Sequence, residues 1–177
     1  VNTTGFPITS TLQGLGAYPG EDNQFLGMLG MHGSYEAHNA MHDCDLMINI
    51  GARFDDRITG KIDAFSPKSK KVHIDIDPSS INKIIRVNTP IVGDIGHVLE
   101  DMLKVWKSRG RKTNVEGIAK WNAQIAEWKS VDCLKYNGSD TIIKPQYALE
   151  RLEALTKDYD RYITTEVGQH QMWAAQY

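Results

Sequence analysis

The stretch "LMINIGARFDDRITGK", Leu46 to Lys61, decides how this chain is read. An apolar run, Leu46 to Ile50, meets Gly51 and is followed at once by Arg53, Asp55, Asp56 and Arg57. A short apolar run bounded by glycine fits a buried strand. The charge then stands where that strand ends, and two accounts are open. Arg53, Asp55, Asp56 and Arg57 form a solvated salt-bridge cluster, whose pairs are individually worth little. Alternatively, they stand at the carboxyl edge of an open parallel sheet, where such folds bind ligands.

Working outward, "KVHIDIDPSS" alternates Val72, Ile74 and Ile76 with His73, Asp75 and Asp77, which is strand period ended by Pro78. Ser79 or Ser80 then reads as the cap of a short helix "INKIIR". "TPIVGD" is a further strand, and "GHVLEDMLKVWKSRG" a helix with Val98, Met102, Val105 and Trp106 near helical spacing. Upstream, Pro7 to Leu12 reads as a strand entering a glycine-rich loop. "GMLGMHG" forms a second such loop before a helix capped near Ser34. Strand and helix therefore alternate, which predicts an open parallel sheet flanked by helices.

After Gly110 the pattern changes. "RGRKTNVEG" is polar, then Ile118, Trp121, Ile125 and Trp128 share one helix face, a packing stripe. "YNGSD" is a turn, Pro145 opens another helix, and "DRYITTEVGQHQMWAAQ" reads as strand, loop and helix start. The domain expectation is an α/β unit over 1–111, a linker with one helix over 112–144, and the start of a second α/β domain over 145–177.

Composition excludes several classes. The chain has 177 residues, 41% hydrophobic and 24% charged, which is ordinary for a globular protein. A net charge of -2 gives no electrostatic reason to expect nucleic acid or an anionic membrane as partner. No apolar stretch approaches the roughly 20 residues that span a bilayer. Cys44 and Cys133 suggest a reducing compartment rather than a disulfide framework, with Cys44 as a buried small apolar residue. The start at Val1 and the stop inside a helix lead us to expect a piece of a longer protein. His38 and His42 have i, i+4 spacing, but Glu36 lies outside the pair, so they read as exposed helix histidines rather than zinc ligands.

Three expected strand ends carry Gly51-Ala52-Arg53, Asp75-Ile76-Asp77 and Gly93-Asp94. The chemistry suits a nucleotide: arginine forks onto phosphate oxygens, glycine lets backbone N–H groups approach, and an acid accepts from sugar hydroxyls. "GLGAYPG" has the wrong spacing for a dinucleotide fingerprint.

Taken together, "GLGAYPGEDNQFLGMLGMHGSYEAHNAMHDCDLMINIGARFDDRITG", "HIDIDPSSINK", "IVGDI" and "TTEVGQHQMWAA" resemble the acetolactate synthase (acetohydroxyacid synthase) catalytic subunits, most specifically from Gly14 to Asp101. The resemblance implies a piece of a thiamine-diphosphate enzyme that condenses pyruvate with pyruvate or 2-oxobutanoate in branched-chain amino-acid biosynthesis. It implies structural FAD, thiamine diphosphate and Mg²⁺ in the parent. It implies FAD contacts from Thr11, Leu12, Leu29, Gly30, Met31, His32, Gly51, Arg53, Asp55, Arg57, Asp75, Ile76, Asn82, Gly93 and Asp94. Arg57 and Met31 would also lie near the second substrate. Val167, Gly168, Gln169 and His170 match the segment that meets thiamine diphosphate. Neither the glutamate that activates thiamine nor the Mg²⁺-binding segment is present, so the piece alone is expected to be inactive and to bind flavin weakly. The resemblance further implies a homo-oligomer of catalytic subunits, a possible regulatory subunit, and a cytoplasmic location if bacterial. Glyoxylate carboligase, a related carboligase, and a stand-alone nucleotide-binding module are the alternatives.

Overall fold

The computed structural model describes residues 1–110 and 112–177. The domain boundary expected at residue 111 therefore falls on the residue outside the described set. The elements are β1 (Ile8–Ser10), β2 (Phe25–Met28), α1 (Tyr35–Asp43), β3 (Leu46–Ile50), α2 (Asp56–Thr59), β4 (Lys70–Asp75), β5 (Thr89–Val92) and α3 (Ile95–Ser108). They are followed by α4 (Val115–Lys129), α5 (Pro145–Thr156) and α6 (Gln169–Gln176).

All strand pairs are parallel, as the alternation of strand and helix requires, but they form two ladders. One is β1-β2; the other runs β3-β4-β5 with β4 in the centre. Residue 48 pairs with 72 and residue 74 with 91, so the three carboxyl ends arrive at one edge. Side-chain caps fix the helix starts: Ser34 Oγ accepts from Ala37 N–H, and Asp94 Oδ1 accepts from His97 N–H.

Two apolar clusters hold the layers together. Leu26, Ala37, Ala40 and Ile125 join β2, α1 and α4, with Trp121 and Trp128 packed against them and edge to face with each other. Phe54, Phe65 and Ile85 cover one face of the larger sheet with Met41 and Met47. The Trp stripe is thus packing, as its spacing predicts. It docks a helix from the expected linker onto α1, and Lys129 Nζ donates to the carbonyls of Asn23 and Phe25.

Four local readings need correction. The expected strand Pro7–Leu12 shortens to Ile8–Ser10, because Thr11 Oγ1 caps a 3-10 turn over Leu12–Gly14. Strand β2 lies inside what reads as glycine-rich loop; two glycines hide the period, and Gly27 takes φ +82 within it. The expected helix over 81–86 is a run of turns, since Asp77 rather than a serine makes the cap and Asn82 adopts φ 59. Finally, 160–166 form no strand, because among the described residues no neighbouring strand supplies their hydrogen bonds.

The accessible surface is 12357 Å². A compact monomer of 19.9 kDa would expose about 8,700 Å². The excess includes apolar side chains on α3 and α5, among them Val105, Leu152 and Leu155. Among the described residues, no helix is long and apolar enough to cross a membrane.

Candidate functional site

The edge where β3, β4 and β5 end is built from their backbones upward. Gly51 N–H donates to the Ile74 carbonyl at 2.8 Å, and Gly93 N–H donates to the Asp75 carbonyl at 3.0 Å. The two glycines therefore flank the end of β4 and bracket Asp75. Gly51 has φ +67, and a Cβ there would come within 2.9 Å of Ile95 Cδ1, so both backbone and space favour glycine.

Beyond Gly51 the chain turns sharply at Phe54, which has φ 60 and is buried against Phe65 and His73. Burying Phe54 leaves its neighbours facing water. Arg53 and Asp55 pair at 3.0 Å with side chains 70% and 51% exposed; Arg57 and Asp56 pair at 3.8 Å, also exposed. Such pairs add little to folding stability. The loop thus holds two guanidinium groups in solvent at the strand edge.

Asp75 is buried, and its Oδ1 accepts from Asp77 N–H at 2.9 Å. Asp77 in turn accepts from the Ser79 backbone and hydroxyl, which holds its carboxyl below the ordinary value. Ile50, Ile76 and Val92, one at each strand end, are exposed. Apolar side chains beside two guanidiniums and a buried acid form a surface with a place for a ring, a phosphate and a sugar hydroxyl. That set suits a nucleotide.

The smaller ladder reaches the same region. Met31 N–H donates to the Arg57 carbonyl at 2.8 Å, which ties the "LGMH" loop after β2 to α2. Gly30 has φ +97, and a Cβ there would sit 2.8 Å from that carbonyl, so the close approach depends on glycine. Leu29 N–H donates to Ser10 O beside Thr11, and Gln176 Nε2 donates to His32 O at 2.9 Å, bringing α6 against this loop. A cleft of about 510 Å³ opens here, lined by Met31, His38, His42, Arg57 and Ser66 among others.

Most of the expected FAD residues follow strands, Thr11 and Leu12 after β1, Leu29 to His32 after β2, Gly51 to Arg57 after β3, Asp75 and Ile76 at the end of β4, and Gly93 and Asp94 after β5, while Gly30, Met31 and Arg57 line the cleft. Asp94 is engaged as the cap of α3. Asn82 is engaged in its own loop, where its Oδ1 accepts from Val87 N–H. Val167 and Gly168 precede α6, Gln169 and His170 open it, and Val167 is 84% exposed. Among the described residues no three metal-ligating side chains cluster, and His38 and His42 line the cleft without forming such a group. Cys44 is half-buried rather than fully buried, with its thiol against Met41 O and Ser66 Oγ; burial pushes that thiol upward.

Sequence reasoning missed His73 altogether. Alternation places it on a polar face, yet the structure buries it completely. The available signal was topology: a central parallel strand is covered on both faces.

The model of the thiamine pyrophosphate enzyme central domain family matches residues 1–102. The chain is 48% identical over 169 residues to the acetolactate synthase large subunit of Haemophilus influenzae, covering 96% of this chain and 29% of that protein. It is 45% identical over 177 residues to the acetolactate synthase isozyme 3 large subunit of Escherichia coli, with 100% and 31% covered. It is 44% identical to the chloroplastic acetolactate synthase 1 of Zea mays, covering 100% of this chain and 27% of that protein. The chain therefore spans under a third of the length of these relatives. The resemblance read from the motifs is borne out, and so is the open parallel α/β fold. With more than half its length matched, this chain belongs to the thiamine pyrophosphate enzyme central domain family.

Proposed function

We propose that the chain forms the flavin-cradling part of an acetolactate synthase catalytic subunit, which condenses pyruvate with pyruvate or 2-oxobutanoate. The observation that carries this reading is the strand edge where Gly51 and Gly93 bracket Asp75 while Arg53 and Arg57 stand in solvent beside it. Similarity over the whole chain to acetolactate synthase large subunits supports the choice of reaction. In this reading residues 1–111 are the flavin-binding unit, 112–144 the linker, and 145–177 the start of the thiamine-binding domain.

The roles follow from the chemistry of each group. Arg53 would fork onto the FAD diphosphate, and the missing side chains of Gly51 and Gly93 would let the cofactor approach the strand ends. Asp75 accepts from a ribose hydroxyl, and Ile50, Ile76 and Val92 supply apolar contact for a ring. Arg57, exposed in the cleft with Met31, orients the carboxylate of the second keto acid. The segment Val167 to His170, at the start of α6, is the part that would meet thiamine diphosphate, and the far end of that helix touches the "LGMH" loop through Gln176. When bound, thiamine diphosphate supplies the nucleophilic carbon, Mg²⁺ anchors its diphosphate, and FAD acts structurally. The active assembly is a homo-oligomer of catalytic subunits with a regulatory partner.

The experiment is product analysis of the full-length protein given pyruvate, thiamine diphosphate, Mg²⁺ and FAD. Acetolactate is the expected product. A folded, cofactor-loaded protein that consumes pyruvate without forming it would overturn the reading.

A further inference from the structure

We propose that His73 is a positioning residue that ties the acid at the end of β4 to the charged loop after β3, fixing Asp75 for a ribose hydroxyl. The inference rests on the flavin reading of that strand edge. His73 is 0% exposed, and neither ring nitrogen has a hydrogen-bond partner among the described residues. A buried imidazole without partners is costly to retain. Packing alone would be served as well by an apolar ring.

Among the described residues, Asp75 is the charged group that lies nearest the His73 ring nitrogens. On its own strand, Lys71 shares its face and is also buried, but its Nζ donates to the carbonyls of Ser66 and Ser69. Across the ladders, His73 faces Asn49 on β3 and Pro90 on β5. The Asn49 amide donates to Ala52 O, and proline offers no N–H. Above it lies Phe54, edge-on with ring centres 5.1 Å apart. The remaining neighbour is Asp75, whose Oδ2 lies 3.6 Å from Nε2.

That distance is too long for a hydrogen bond, and a small side-chain shift closes it. Asp75 Oδ1 is already held by Asp77 N–H, so Oδ2 carries the free lone pairs. With Nε2–H on one of them, the carboxylate is held at both oxygens and the other lone pair is left to accept from a ligand. The same ring supports Phe54, whose left-handed backbone turns Arg53 and Asp55 outward. One side chain thus links the sugar-binding acid to the phosphate-binding loop.

The test uses the full-length flavoprotein, stripped of flavin and titrated with FAD and with an FAD analogue lacking both adenosine ribose hydroxyls. His73→Phe keeps the ring against Phe54 and removes Nε2. It should reduce the preference for FAD over the analogue about tenfold, the scale of one charge-assisted hydrogen bond. His73→Gln, which returns a donor near Nε2, should restore the preference. A merely structural role would weaken both ligands equally, so an unchanged ratio in His73→Phe overturns the proposal. If His73→Phe does not fold, His73→Gln decides. Retention of the wild-type ratio upholds the role, and a ratio as low as that of Asp75→Asn rejects it. A folded wild-type protein that binds neither ligand rejects the flavin reading and this inference together, an outcome distinct from an unchanged ratio.

Discussion

The backbone N–H of Met31 donates to the backbone carbonyl of Arg57 at 2.8 Å, so the loop after β2 is fixed to α2 at the cleft. The contact uses no side chain, and it places the two residues assigned to the second substrate side by side. Geometry here depends on what the backbone permits at Gly30.

Gly30→Ala should therefore loosen the cleft. Its φ of +97 disfavours any L side chain, and the new Cβ would meet Ile58 and the Arg57 carbonyl. The expected cost is about 1–3 kcal/mol of stability. Urea unfolding of the full-length protein, together with the KM for the second keto acid, checks it. Wild-type values for both would reject the constraint.

Arg57→Ala should behave differently. Its side chain is 73% exposed, so stability should stay within about 0.5 kcal/mol of wild type. KM for the second keto acid should rise about tenfold through loss of a charge-assisted contact. Steady-state kinetics with 2-oxobutanoate as the varied acceptor reads this directly, and unaltered kinetics would remove the assigned role.

Ile125→Ala tests how α4 is held. Ile125 is 4% exposed and packs with Leu26, Ala37 and Ala40. Truncation should cost about 2–5 kcal/mol. A loss below about 0.5 kcal/mol in denaturant unfolding, the scale of a surface substitution, would mean that the helix does not dock onto α1.

Cys44 offers a pH-dependent readout. Burial raises its thiol above the ordinary value, which extends the neutral form to higher pH. Between the ordinary and the raised value it should alkylate more slowly than a free model thiol, and the lag should vanish above the raised value. Mass spectrometry after iodoacetamide pulses across that range measures it. Model-thiol rates throughout would contradict the burial.

The sequence disclosed the sheet edge more fully than the sheet. Apolar runs stopping at Gly51 and Gly93, with charge or acid beside them, mark strand ends because few other structures need that junction. Strand β2 was hidden because its backbone hydrogen bonds depend on β1, while Gly27 and Gly30 suit a loop equally well. The run 81–86 has only Lys83 and Arg86 as strong helix formers, and Asn82 ties its side chain to Val87 N–H, so a turn wins. His73 shows the deeper limit. Period-2 alternation separates two faces of a strand, but only the position of β4 between β3 and β5 tells that both are covered.

The central claim is that the charged loop after β3 exists to hold a flavin rather than to stabilise the fold. Arg53→Ala separates the two directly. Its exposed pair with Asp55 is worth little to folding. The decisive measurement is the FAD dissociation constant of full-length wild type and Arg53→Ala, with unfolding curves recorded on the same flavin-free preparations. We expect affinity to fall at least about tenfold while flavin-free stability stays within about 0.5 kcal/mol. Equal affinity for FAD would contradict the account, and a loss of flavin-free stability without loss of affinity would make the cluster a structural salt bridge after all.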